Sequence, residues 1–84
     1  MYERLIKEAN DLTARYAADR NARIAIVDKV NALLPKIQAA FISASDFAGA
    51  QSAQRALRIC LRLRRQIAAD ASEELGRYIR PTEL

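Results

Sequence analysis

The chain has 84 residues with a net charge of +4, and it contains one cysteine and no histidine. This length allows one domain, and a single cysteine excludes an internal disulfide. One cysteine without any histidine also excludes a usual zinc site. Alanine, arginine and leucine, all strong helix formers, dominate the composition. We therefore expect an all-α domain without metal or cofactor, stabilised by helix packing, by oligomerisation or by a partner.

The first segment, residues 2–18, carries apolar side chains at the three- and four-residue spacing of an amphipathic helix. They are Tyr2, Leu5, Ile6, Ala9, Leu12, Tyr16 and Ala17. Its other face holds oppositely charged residues four positions apart, such as Glu3 and Lys7. Such pairs stabilise a solvated helix face, so this segment predicts a helix with one buried side.

Polar residues at 18–23 interrupt the apolar pattern, which resumes in phase at Val27. We predict a break near residues 19–22, with Asn21 as the cap of a second helix; one long helix over residues 2–42 is the alternative. The second helix, about 22–42, has heptad-like apolar spacing from Val27 to Phe41. Pro35 lies inside it and predicts a kink or a short break.

The segment SASDFAG, residues 43–49, predicts the next connection, with Ser43 or Ser45 as the helix cap and Asp46 in the first turn. A third helix then follows over about 46–79, with a bend near residues 68–72 as one option, and Pro81 ends it. The prediction is a compact bundle of three to four helices, which association with further copies would complete.

Arginines in the third helix form the most distinctive pattern, because no acid occurs between Asp46 and Asp70. At 100° per residue, four of them share an arc of about 80°. We call them the arginine strip: Arg55, Arg58, Arg62 and Arg65. Like charges at this spacing repel each other unless an anion meets them, and the planar guanidinium suits phosphate and carboxylate.

Two partners fit the arginine strip. The first is the phosphate backbone of nucleic acid, contacted without base readout because no aromatic residue interleaves with the arginines. The second is an acidic protein surface, as for an adaptor, an antitoxin or a phage-type inhibitor. A solvated helix face without a partner is a third interpretation.

Arg64 falls at the middle of the apolar arc, opposite the arginine strip. A buried, unpaired guanidinium is costly, so we expect a buried ion pair or an interface at Arg64. The candidate acids within the chain are Glu8, Asp28 and Asp46.

Residues elsewhere in the chain that could take part in catalysis or metal binding have simpler interpretations. Cys60 lies on the apolar arc and is expected in the core, and no histidine is present to activate it. We expect the acids Asp70, Glu73 and Glu74 to neutralise the arginines that follow them, Glu73 with Arg77. The aromatic residues are expected in the core or an interface: Tyr2, Tyr16, Phe41, Phe47 and Tyr78. No set of residues indicates an enzyme.

The stretches RALRICLRLRRQIA and ELGRYIR, within residues 55–80, resemble the end of a family of small four-helix-bundle proteins. That family includes accessory proteins of diversity-generating retroelements and proteins encoded in ribosomal RNA intervening sequences. Leu75-Gly76-Arg77-Tyr78-Ile79 stands where the family has a Leu-Gly-Gly-Trp-Ile-like ending. The resemblance implies a basic, non-catalytic oligomer that helps a polymerase engage nucleic acid. We further expect a cytoplasmic protein without a membrane-spanning segment.

Overall fold

The computed structural model of the protein describes residues 2–84. This part of the chain forms three α-helices: α1 (Tyr2–Ala18), α2 (Arg23–Ser43) and α3 (Phe47–Leu75). Two 3₁₀ turns, Arg20–Ala22 and Pro81–Glu83, follow α1 and α3, and residues 2–84 contain no strand. The predictions of an all-α bundle and of a break near residues 19–22 are confirmed.

Asp19 stabilises the turn between α1 and α2 through its backbone and its side chain. Its backbone N–H donates to the carbonyl of Arg15 at 2.9 Å, and its carboxylate accepts from the N–H of Asn21 at 3.0 Å. The prediction of Asn21 as the capping residue is therefore wrong. Asp19 has the extended backbone (φ −147°, ψ 97°) that lets an aspartate side chain reach the N–H two residues further on.

The helix α2 runs through Pro35 without interruption, so the predicted short break is absent. Pro35 has no N–H to offer the carbonyl of Asn31, and both residues lie on the exposed side, where water can bond that carbonyl. Packing holds the helix on either side of the proline, because Val30 and Ile37 are both fully buried.

Asp46, rather than Ser43 or Ser45, caps α3. Its carboxylate accepts a hydrogen bond from the N–H of Gly49 at 2.7 Å, while Ser43 bonds backwards to the carbonyl of Ala40 at 3.3 Å. The aspartate takes the extended conformation of a cap residue (φ −141°, ψ 169°). Ser43 is already part of α2.

The helix α3 ends at Leu75, four residues before the predicted boundary at Ile79. Gly76 adopts the left-handed conformation (φ 70°, ψ 18°), which ends the helix before Pro81 is reached. The chain then folds back, and the N–H of Ile79 donates to Oγ of Ser72 at 2.7 Å. No interruption occurs at residues 68–72, where a bend was considered.

The three helices form an up-down-up bundle around one core. α1 and α3 are parallel, because Tyr2 lies beside Gly49 at one end and Tyr16 contacts Asp70 at the other. α2 is antiparallel to α3, since Arg23 at its start pairs with Glu74. The molecule measures 45 × 23 × 16 Å. In residues 2–84 no helix combines the length and apolar character required to cross a membrane.

Candidate functional site

The arginine strip is exposed along its whole length. The side chains of all four arginines face solvent: Arg55, Arg58, Arg62 and Arg65. Residues 2–84 contain two ion pairs, Arg20 with Asp70 and Arg23 with Glu74. Neither pair includes an arginine of the strip. Four positive charges thus face solvent in one row without an acidic partner from the described chain.

The fold presents the strip because α1 and α2 cover the opposite side of α3. Cys60, Leu63 and Ile67 occupy that covered side and are at most 3% exposed. Since α3 is continuous from Phe47 to Leu75, the four arginines keep the helical spacing and remain on one line.

Grooves adjoin the strip at both ends. Arg55 and Arg58 border a shallow polar groove of ≈ 530 Å³ that also contains Gln51, Ser52 and Gln54. At the other end, Arg62 lines a groove of ≈ 360 Å³ between α1 and α3, and Arg20 is on its rim. The surface beside the strip is therefore polar at Arg55 and Arg58, whereas the groove at Arg62 also contains apolar side chains such as Ile59 and Leu63.

Arg64 points away from the strip, as its position on the helical wheel predicted. The residue is half-buried, and its Nε atom is buried without a hydrogen-bond partner among residues 2–84. Neither of the two ion pairs includes it, so the described residues 2–84 do not supply the expected carboxylate. Of the candidate acids, Asp46 is occupied in capping α3. An interface at Arg64 stays a prediction.

Cys60 is fully buried and reduced, which confirms its assignment to the core. Burial raises the pKa of its thiol to about 11, against a smaller lowering effect of the Arg64 charge. The reactive thiolate is thereby suppressed at neutral pH.

Two acids of α3 hold the junction between α1 and α2. Asp70 accepts hydrogen bonds from Tyr16 and from Arg20 at 3.3 Å, while Glu74 pairs with Arg23. The expectation that these acids neutralise the arginines that follow them is wrong for Asp70 and Glu74, because their partners, Arg20 and Arg23, come from the junction between α1 and α2. Glu73 and Arg77 do not form one of the ion pairs within residues 2–84.

The sequence contained a signal for these contacts. Arg20 and Arg23 fall where the apolar pattern is interrupted, and charged residues at such positions often meet partners from another segment. Spacing within one segment cannot identify the partner, because that depends on how the helices align. Burial and the hydrogen bond to Asp70 raise the pKa of Tyr16 to about 12, against a smaller lowering by the charges of Arg20 and Arg23.

The aromatic residues divide into two groups. Tyr16 is buried and Tyr2 is half-buried, as expected for core residues. Phe41, Phe47 and Tyr78 are 49%, 77% and 75% exposed, so they do not belong to the core. Within residues 2–84 no group of three acids or cysteines could hold a metal ion.

Comparison of the chain with protein-family models, with curated proteins and with solved structures finds no match.

Proposed function

We propose that this protein is a non-enzymatic basic subunit that binds the phosphate backbone of nucleic acid through Arg55, Arg58, Arg62 and Arg65. The observation that supports the proposal is the row of four exposed guanidinium groups with no acid paired to them in residues 2–84. The two ion pairs within residues 2–84 use Arg20 and Arg23, which lie outside the strip.

The dimensions of the strip suit a nucleic-acid strand. Ten residues separate Arg55 from Arg65, which is about 15 Å along a helix. Measured along the axis of a duplex, that length corresponds to about four phosphates of one strand, at about 3.4 Å of axis each. A guanidinium also binds phosphate oxygens through two parallel N–H groups, so four arginines can follow one backbone.

The strip predicts binding without sequence preference. Its four side chains are all arginines, and no aromatic ring stands between them on which a base could stack. Phosphate contacts position a protein on nucleic acid but carry no base information. The expected ligand is therefore any RNA or DNA backbone that the straight helix can follow.

A mobility-shift assay with random RNA and DNA at about 50 mM salt tests the proposal, because phosphate contacts are strongest at low salt. The wild type should bind, and a variant with Arg58→Gln and Arg62→Gln should lose most of its affinity while its circular dichroism stays helical. Lys29→Gln with Lys36→Gln is the matched control, since it removes the same charge from two exposed positions on α2.

Two outcomes would overturn the proposal. Failure of the wild type to bind any RNA or DNA would favour the acidic protein surface as the partner of the strip. Equal losses in the strip variant and in the lysine control would show that net charge, rather than this row of arginines, determines binding.

A further inference from the structure

The helix α3 carries a second regular stripe beside the one that forms the core. We call it the outer stripe, and its members repeat at spacings of 4, 3, 4, 3 and 4: Ala50, Gln54, Leu57, Leu61, Arg64 and Ala68. This is the heptad spacing of helices that pack along their length. Leu57, Leu61 and Arg64 are only half-buried in the bundle, so the middle of the stripe lacks a complete partner.

An apolar groove of ≈ 460 Å³ lies along this stripe, between α2 and α3. Leu57 and Leu61 form one wall, Leu34 and Phe41 line the other, and no charged residue borders the groove. Phe41 is 49% exposed. On a protein with a net charge of +4, a neutral apolar face is where a second basic molecule can approach without strong repulsion.

The outer stripe has the same kind of side chain at positions that lie equally far on either side of its centre. From its centre outwards it has leucine and leucine (Leu57, Leu61), then two polar side chains (Gln54, Arg64). The alanines beyond them differ, because Ala50 is half-buried and Ala68 is already buried in its own chain, so the contact is confined to the four central residues. An antiparallel pair of identical helices related by a two-fold axis brings such mirrored positions together. In such an isologous pair each contact occurs twice, so the mirrored positions must be complementary to each other, as leucine is to leucine and glutamine is to arginine.

We propose that a second copy of this chain covers the groove, with the two α3 helices packed antiparallel along their outer stripes. Leu57 then meets Leu61 of the second copy, and the same register sets Arg64 opposite Gln54 of the second copy. The amide oxygen of Gln54 can accept a hydrogen bond from the Arg64 guanidinium. Arg64 is half-buried and takes part in neither ion pair among residues 2–84, so the terminal nitrogens of both Arg64 guanidinium groups in the dimer would each gain an acceptor.

The surface area of the chain agrees with this arrangement. Its accessible surface is 5859 Å², whereas a folded monomer of 9.4 kDa is expected to expose about 5000 Å². The excess is about 800–900 Å², and a standard interface covers about 800 Å² on each partner. Burial of one such face would reduce the accessible surface area of each chain to the value expected for its mass.

The dimer would also align the two arginine strips. The two-fold axis is perpendicular to the plane that contains the two paired α3 helices. A feature that lies on one side of this plane in one copy therefore lies on the same side in the second copy, and the arginine strip of each copy is such a feature. Both strips therefore lie on one face of the dimer. Self-association does not depend on nucleic acid, so this proposal stands or fails separately from the proposed function.

Sedimentation equilibrium of the full chain without nucleic acid tests the proposal. The wild type should be a dimer, and Arg64→Glu should raise the dimer Kd by about 30-fold or more, as for a central interface residue. Adding Gln54→Lys to Arg64→Glu should restore dimerisation, because each new lysine faces a glutamate of the second copy. Within one helix these positions are about 15 Å apart and cannot pair.

Controls separate the interface from charge and folding. Arg77→Glu makes the same charge change at an exposed position outside the stripe and should leave the Kd unchanged. Gln54→Arg alters an exposed residue without threatening the core, and it should weaken the dimer by placing two arginines together. A wild type that stays monomeric at every attainable concentration, or a loss that Gln54→Lys does not restore, would overturn the proposal.

Discussion

Tyr16 donates a hydrogen bond from its hydroxyl to the carboxylate of Asp70, and this contact joins the end of α1 to α3. Arg20 reaches the same carboxylate at 3.3 Å and lies over the Tyr16 ring, 5.8 Å from its centroid. Gln66 donates to the other carboxylate oxygen at 3.0 Å. Asp70 thereby holds three side chains near the junction between α1 and α2.

This contact predicts how stability depends on pH. Burial and the bond to Asp70 raise the pKa of Tyr16 from 10.0 to about 12, so its contribution is complete below pH 10 and is lost between about pH 10 and 12. The Tyr16 hydrogen bond, opposed by some desolvation, lowers the pKa of Asp70. Its contribution is present above the ordinary aspartate pKa and disappears as the pH falls through the lowered value.

Tyr16→Phe should therefore lower the free energy of unfolding at pH 7 by about 1.5–3 kcal/mol, the range for a hydrogen bond to a charged group. It should also remove much of the alkaline loss of stability, which urea titrations at pH 8, 10 and 12 would measure. Tyr78→Phe is the control, because Tyr78 is 75% exposed. Equal alkaline losses in the wild type and in Tyr16→Phe would contradict the assignment.

The start of α3 offers a test of which residue caps it. Asp46→Ala should destabilise the protein by about 1 kcal/mol, because the N–H of Gly49 loses its carboxylate acceptor. Ser45→Ala should change the unfolding midpoint by little, since Ser45 is exposed and does not hold the cap. A larger effect at Ser45 than at Asp46 would show that the cap lies where the sequence pattern alone suggested.

The end of α3 depends on the backbone of Gly76. At φ 70° an L-residue is strained, and a Cβ added there would meet no atom within 4 Å, so the cost is conformational alone. Gly76→Ala should lower stability by about 1–2 kcal/mol, and Gly76→Asn by less, because asparagine tolerates this conformation better. Thermal unfolding of both variants measures the difference; equal stability of Gly76→Ala and wild type would indicate a different helix end.

Periodicity was sufficient to predict the helices, and also which side of α3 faces the core. It could not locate α3 exactly, because its ends depend on local backbone choices: Asp46 rather than a serine as the cap, and Gly76 in a left-handed turn. Nor could it find the Tyr16–Asp70 contact. Residues 54 positions apart meet only through the alignment of α1 with α3, which no pattern within one helix encodes.

Cys60 should report whether the core opens. Because the thiol is fully buried and its pKa is about 11, alkylation by iodoacetamide at pH 8 should be at least about 100-fold slower in the folded protein than in urea. Mass spectrometry follows the modified fraction. Gln51→Cys in a Cys60→Ala background places the thiol on an exposed position of the same helix and should react at the rate of unfolded protein. Fast labelling of native Cys60 would contradict a closed core.

The salt dependence of nucleic-acid binding should count the arginines that contact phosphate. Four contacts predict a slope of log K against log salt concentration of about −3.6 for duplex DNA, and two aligned strips in a dimer predict about −7. Fluorescence anisotropy with a random duplex between about 50 and 200 mM salt measures the slope. Removing Arg58 and Arg62 should halve its magnitude in either case, because each strip loses two of four contacts. If the protein sediments as a dimer and the wild-type slope is near −3.6, only one strip contacts the duplex. If the substitutions leave the slope unchanged, the phosphate contacts lie elsewhere on the surface.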